Sequence, residues 1–246
     1  MPILNRIAEF HDEITAWRRD LHAHPEVLFD VHRTAGIVAE KLKAFGVDEI
    51  VTGLGRTGAV LQMYYPGQEG AAATAAVLYG ECDPGGRLTQ SFPVDDHHHP
   101  VADNPLRYPG VDGTEEYSEG IHVGYRWYDA QGVRPLFPFG HGLSYTTFAY
   151  DHLRACRTRR GLEVSFDVRN TGRRTGVAVP QVYVGRSPDL RLDQAVRVLG
   201  GFERLTLRAG ERRRVTVEVA ARTLSSWDPK RHDRVLGTGR RTVWVG

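Results

Sequence analysis

Apolar residues recur at spacings of three and four near the start of the chain. Ile3, Ile7, Phe10, Ile14, Trp17 and Leu21 fall on one face, which predicts an amphipathic helix over residues 3–22. His24-Pro25 ends it, because proline disfavours helical backbone in the residue before it. A second helix is predicted over Thr34–Phe45, with Ile37, Val38, Leu42 and Phe45 on its apolar side and Gly46 as its cap. Glu49–Thr52 predicts a short strand, and Gly53-Leu-Gly-Arg-Thr-Gly58 breaks the pattern. Further on, Tyr65-Pro-Gly-Gln-Glu-Gly70 leads into a small-residue helix over Ala71–Leu78, stopped at Gly80. A turn at Asp83-Pro-Gly-Gly-Arg-Leu88 precedes a short strand to Phe92.

From Thr146 the period changes to two. Leu162–Arg169 alternates apolar and polar residues, and Asn170-Thr-Gly172 turns the chain. Val177–Val184 follows as a strand in which Pro180 marks an edge or a bulge. Val196–Phe202, Arg204–Leu207, Arg213–Val219 and Arg241–Val245 complete the pattern, and Leu224–Asp228 reads as a loop around a buried Trp227. About seven short strands with turn signals roughly every ten residues indicate a β-sandwich. The fold class is therefore α+β. A short helical piece spans 1–60, a partial α/β segment with a linker spans 61–144, and the β-sandwich spans 145–246.

Composition refines this. With 41% apolar and 25% charged residues among 246, the chain is an ordinary globular one. No apolar run approaches the ~20 residues of a membrane span. The first twenty residues lack the unbroken apolar core of a signal peptide, so cytoplasmic residence is expected. Cys82 and Cys156 lie in different segments and are expected as unpaired thiols. The net charge of +2 conceals an asymmetry. Lys plus Arg minus Asp plus Glu is 7 − 9 = −2 over residues 1–60, 4 − 11 = −7 over 61–150 and 21 − 10 = +11 over 151–246. Arginines cluster at Arg157, Arg159 and Arg160 and again at Arg212–Arg214, but no nucleic-acid motif accompanies them, so nucleic acid is not an expected partner.

Between the two patterned regions lies a run dense in aromatics, glycine and proline. It comprises Tyr117-Ser-Glu-Gly-Ile-His-Val-Gly-Tyr-Arg-Trp-Tyr-Asp129 and then Pro135-Leu-Phe-Pro-Phe-Gly-His-Gly-Leu-Ser-Tyr-Thr-Thr-Phe148. Glycine permits unusual backbone angles and proline fixes them, which suits an irregular surface between two packed units. This run closely resembles the join between the α/β-sandwich and fibronectin type III-like domains of glycoside hydrolase family 3, the β-glucosidase family. Tyr65–Gly70, Val77–Leu88 and Phe92-Pro93 resemble the end of that family's α/β-sandwich domain, with Asp83 where Asn is usual and Gln90 where Val or Thr is frequent. The resemblance makes 61–144 the C-terminal remnant of the α/β-sandwich domain and its linker. It makes 145–246 a nearly end-to-end fibronectin type III-like domain. Ala16–Glu26, His32–Ala35 and Gly53–Gly58 resemble the opening of hippurate-hydrolase-like metallo-amidohydrolases over residues 1–59 only.

Retaining glycoside hydrolysis needs two carboxyl groups about 5 Å apart across the sugar. The resemblance implies a nucleophilic Asp on a preceding barrel and an acid/base Glu early in the α/β-sandwich domain, and no residue here matches either position. Glu69, Glu115, Glu116 and Glu119 fall on neither, and Glu119 is expected to contact a backbone amide or Arg126. Tyr125, Trp127, Tyr128, Phe137 and Phe139 could stack on sugars but are expected to form an interdomain core. His22 and His24 are expected as structural contacts, since a zinc site needs at least three protein ligands, and Asp95–His99 as a solvated loop. No catalytic, cofactor-binding or metal-binding residue is therefore assigned, and no cofactor is expected. Carbohydrate is the partner class left open. The expected function is a C-terminal portion of a β-glucosidase-like hydrolase without activity by itself. The alternatives are a carbohydrate- or partner-binding module and a metallo-amidohydrolase fragment.

Overall fold

The computed structural model describes residues 11–24, 32–44 and 60–246, and the chain divides into two units, 1–62 and 63–246. The described residues form a mixed α/β protein, mostly sheet, with four helices.

In the first unit, α1 (His11–Ala23) and α2 (His32–Ala44) occupy the two predicted helical stretches. Ion pairs tie them together: Arg33 donates to both oxygens of Asp20 at 2.8 and 2.7 Å, and Lys41 reaches Glu13 at 3.3 Å while standing over the Trp17 ring. Asp20 also accepts from His24 through its backbone carbonyl, and the Arg33 guanidinium holds its carboxyl below the usual range. The predicted strand at 49–52 and the glycine segment at 53–58 lie outside the described residues.

The second unit starts with α3 (Gly70–Leu78), stopped by Gly80 at φ +74°, where the predicted helix ends. The strand expected over Leu88–Phe92 does not form. Separate groups of backbone bonds at its two ends hold this segment instead, Leu88 N to His141 O and Gly140 N to Leu88 O at one, and Phe92 N to Phe137 O and Leu136 N to Phe92 O at the other. Pro138 has no amide to donate, so a continuous ladder cannot be built opposite it. α4 (Tyr125–Gln131) ends at Gly132 in the left-handed conformation.

The sandwich follows. β1 (Phe148–Thr158), β2 (Gly161–Asn170) and β7 (Arg212–Ala220) form one antiparallel sheet in the order β1-β2-β7. β10 (Val243–Val245), β4 (Gln181–Gly185) and β5 (Arg197–Phe202) form a second, in the order β10-β4-β5. β3 (Gly176–Ala178) pairs with β6 (Leu205–Leu207), and β8 (Ser225–Asp228) with β9 (Asp233–Leu236). The core follows from the two-residue period: Val164, Phe166 and Val168 of β2 and Val215, Val217 and Val219 of β7 point inward against Val182, Val184, Leu205 and Leu207.

Two expectations are corrected here. The predicted strand 177–184 is two strands in different sheets, because Pro180 supplies no ladder donor and the chain changes partner at it. The stretch 224–228 is largely the strand β8, and Trp227 is exposed on the β8–β9 hairpin rather than buried. A two-stranded ribbon covers one face at most, and Trp227 lies on the open one.

Candidate functional site

The region singled out in the sequence forms a join between the α3–α4 segment and the sandwich, and it has two anchor points.

The first is Asp83. The turn after α3 places its carboxylate against β3 and the linker. Oδ1 accepts from Ser144 Oγ at 2.8 Å and from the Tyr145 amide at 2.7 Å, and Oδ2 accepts from the Val177 amide at 2.7 Å. Such charge-assisted bonds are stronger than neutral ones. Beside it the Tyr145 hydroxyl donates to Val77 O, Arg174 donates to Gly80 O at 3.0 Å, and the Arg174 guanidinium stands over the Tyr145 ring. Gly85 lies so close to the Val177 side chain that a Cβ there would overlap it. Asn170, fully buried, supports this corner with all its polar capacity used. Its amide donates to Arg174 O and Leu207 O, and its oxygen accepts from Thr146 Oγ1 and the Gly172 amide.

The second anchor is α4 on β4 and β5. Tyr125 stacks on Phe139 with ring centroids 4.9 Å apart and meets Tyr183 edge-on at 5.8 Å. Its hydroxyl accepts from the Leu199 amide at 2.9 Å. One turn on, Asp129 takes a two-pronged bond from Arg197 at 2.8 and 2.9 Å, and Arg197 lies over the Tyr183 ring. Asp129 holds the guanidinium above its ordinary pKa, while burial pushes the Tyr183 phenol up to about 12. Gly140 takes φ +80° and its carbonyl accepts from Gln181, whose Oε1 in turn accepts from the Tyr183 hydroxyl. Tyr128 is buried and donates to His98 O at 2.8 Å. Trp127 packs edge-on against it, and Phe137 against Phe92. The aromatics are thus spent on packing and on backbone bonds. They do not form a row on one open face.

Among the described residues the expected Glu119 contact is not made: its carboxylate bonds neither Arg126 nor a backbone amide, and only its carbonyl accepts, from His122. In the Asp95–His99 loop, His98 pairs with Asp95 at 2.5 Å and His97 with Asp103 at 3.0 Å. Asp103 raises the His97 pKa, and His98 lowers that of Asp95. Cys82 and Cys156 are both free and exposed.

One cluster escaped the sequence reading. Asp151, His152 and Asp167 bring ligand-type atoms within 4.8 Å of one another on the outer face of the first sheet. Arginine already occupies their oxygens: Arg212 reaches Asp151 at 2.8 Å, Arg214 reaches Asp167 at 3.1 Å, and the Asp167 pKa is lowered chiefly by Arg214. Guanidinium groups in the places a cation would take make this an ion-pair network. Neither Asp151 nor Asp167 lines either of two cavities on this unit. Of these, one of about 670 Å³ is lined by a single carboxylate, Glu211, and another of about 750 Å³ by none.

Residues 46–145 match the glycosyl hydrolase family 3 C-terminal domain, and residues 178–246 match the fibronectin type III-like domain. The chain therefore carries the C-terminal part of a family 3 glycosyl hydrolase. Its relatives are β-glucosidases. It is 43% identical over 180 residues to the β-glucosidase of Rhizobium radiobacter, an alignment covering 71% of this chain and 22% of that enzyme. It is 37% identical over 191 residues to thermostable β-glucosidase B of Acetivibrio thermocellus, covering 76% of this chain and 25% of the relative. Among solved structures, DesR, a β-glucosidase from Streptomyces venezuelae in complex with D-glucose, superposes on 75% of this chain and 24% of its own, with a TM-score of 0.73 and 51% identity. β-Glucosidase 3B from Thermotoga neapolitana in complex with glucose gives a TM-score of 0.64 at 34% identity, over 73% of this chain and 25% of that one. The chain thus spans about a quarter of the length of the curated relatives it matches.

Proposed function

We propose that residues 61–246 are a scaffold portion of a β-glucosidase-like hydrolase and do not cleave glycosides unaided. The observation that carries this is the use made of the carboxylates. Asp83 and Asp129 are committed to the join, Asp151 and Asp167 to arginine, and neither cavity sets two acids against each other. α3 supports the same reading. It is apolar on every side, yet Leu78 is 66% and the adjoining Tyr79 85% exposed, the composition of a helix meant to be covered. Further polypeptide of a family 3 enzyme is the natural cover. Incubation of the purified chain with aryl β-glucosides should give no turnover above buffer. Robust turnover, abolished by changing one carboxylate, would overturn the proposal.

Residues 1–59 we read as an amidohydrolase-like fragment, on the strength of Ala16–Glu26, His32–Ala35 and Gly53–Gly58. The family 3 match begins at residue 46, so 46–59 fall within both. Metal analysis after dialysis tests whether any amidohydrolase chemistry survives. Stoichiometric zinc or manganese would show that it does.

A further inference from the structure

The sandwich is open along one side. β1 is the edge of one sheet and β10 the edge of another, and these two edges approach each other. Positions of β1 that face the core start with Phe148 and Tyr150, both packed on it. Past the register shift between Asp151 and Arg154 they become Ala155 and Arg157, opposite Val164 and Leu162. A methyl group and a guanidinium cannot close the space between two sheets about 10 Å apart. The strand accordingly stays exposed from His152 to Thr158, and the cleft of about 750 Å³ opens beside it. Ala155, Leu162 and Val243 give the cleft an apolar floor, and Arg157, Arg159 and Arg241 stand around it. Arg241 is held in place by Gly185 O and Leu224 O, while Arg157 and Arg159 have no ion-pair partner among the described residues. Among the described residues no strand pairs with the far edge of β1.

We propose that this open side accepts an extended acidic peptide as an added strand. Its backbone pairs with β1 over Leu153–Thr158, apolar side chains on one face enter the cleft, carboxylates on the other face meet Arg154, and the carboxylate at the peptide's end meets Arg157 and Arg159 at the rim of the cleft. Alternate residues of a strand face opposite ways, so one peptide satisfies both demands. The lining argues for a peptide over other anions. It holds no aromatic ring on which a base or a sugar could stack. A second copy of β1 would set arginine against arginine, in a domain of charge 21 − 10 = +11. The same charge that keeps copies apart attracts an acidic strand. This surface lies away from the join and does not depend on the catalytic status of the chain.

The full chain titrated with a fluorescein-labelled peptide of about six residues, alternating Glu and Val, should show saturable binding. Joint Arg157→Ala and Arg159→Ala substitution should weaken it about tenfold, the effect of losing charge-assisted contacts. Ala155→Trp, which fills the cleft and keeps every arginine, should weaken it as well. Thermal melts confirm that both variants fold. N-methylation of alternate peptide amides should abolish binding, since it removes the strand donors and leaves the charges. Absence of saturation, equal binding of the N-methylated peptide, or equal binding of a Lys/Val peptide or an oligonucleotide each overturns the proposal.

Discussion

Helix α3 and strand β7 are both rich in apolar residues, yet burial separates them. In β7, Val215, Val217 and Val219 are buried and their neighbours exposed, an alternation that matches the strand period. In α3 only Gly70 is buried, although Ala, Val and Leu surround the helix. The sandwich assembles its buried core from residues as distant as Val164 and Leu224, and Phe148 of β1 and Val245 of β10 pack against it. The α3–α4 region has no comparable cluster and is held to the sandwich at Asp83 and at α4. Stability therefore resides in the sandwich, and the other region borrows it through a few polar and aromatic contacts.

The largest effect should come from the sandwich core. Phe166→Ala removes a side chain 1% exposed and should cost about 4 kcal/mol in urea unfolding. Leu78→Ala on α3 should fall within about 0.5 kcal/mol of zero. Similar costs at the two positions would erase the contrast. Asp83→Ala comes next, at about 3 kcal/mol, because the Ser144 hydroxyl and the Tyr145 and Val177 amides lose a charged acceptor together. Its signature is local: faster amide exchange at Val177 and faster proteolysis between α3 and the linker, with the β2–β7 ladder still protected. Arg197→Ala should cost about 1–2 kcal/mol, since the pair is partly exposed. Coupling to Asp129→Ala in a double-mutant cycle should be about 1 kcal/mol. A coupling near zero would leave α4 held by its aromatic rings and by the hydroxyl bonds of Tyr125 and Tyr128.

Legibility divides along the same line. The two-residue period at Leu162–Arg169 gave β2, and Gly80 gave the end of α3, because each is a local property of consecutive side chains. The aromatic run was visible as a join from its mixture of rings, glycine and proline. Its chemistry was not. Asp83 looked like a turn residue, and nothing near it in the sequence names Val177, 94 positions away, as its partner. Tyr125 and Asp129 stand one helical turn apart, a legible pair, but Leu199 and Arg197 are known only once β5 is placed beside α4. Pro180 was recognised as incompatible with a central ladder, yet whether the chain bulges or changes sheet depends on where β6 and β5 lie. Trp227 failed for a related reason, since burial requires a facing surface and the β8–β9 ribbon has one only on its other side.

The effect most specific to the join is its response to alkali. Burial raises the Tyr183 phenol from 10.0 to about 12, so between these values the unfolded chain ionises while the folded one does not. The folded state then binds the extra proton, the slope of stability against pH is negative, and stability present below pH 10 declines towards pH 12. The full shift would correspond to roughly 3 kcal/mol. Tyr183 is only partly buried, so solvent screening reduces the expected loss to about 1 kcal/mol. Tyr183→Phe should flatten this decline while costing the neutral protein only the bond to Gln181. Burial raises the Tyr128 and Tyr150 phenols too, so Tyr128→Phe and Tyr150→Phe are the necessary comparisons. Urea midpoints at about pH 9 and pH 11 for the three variants assign the decline. If Tyr183→Phe removes most of it, α4 is seated on β4 tightly enough to exclude water. If Tyr150→Phe does so instead, the alkaline weak point lies inside the sandwich, and the join is looser than its rings and its ion pair suggest.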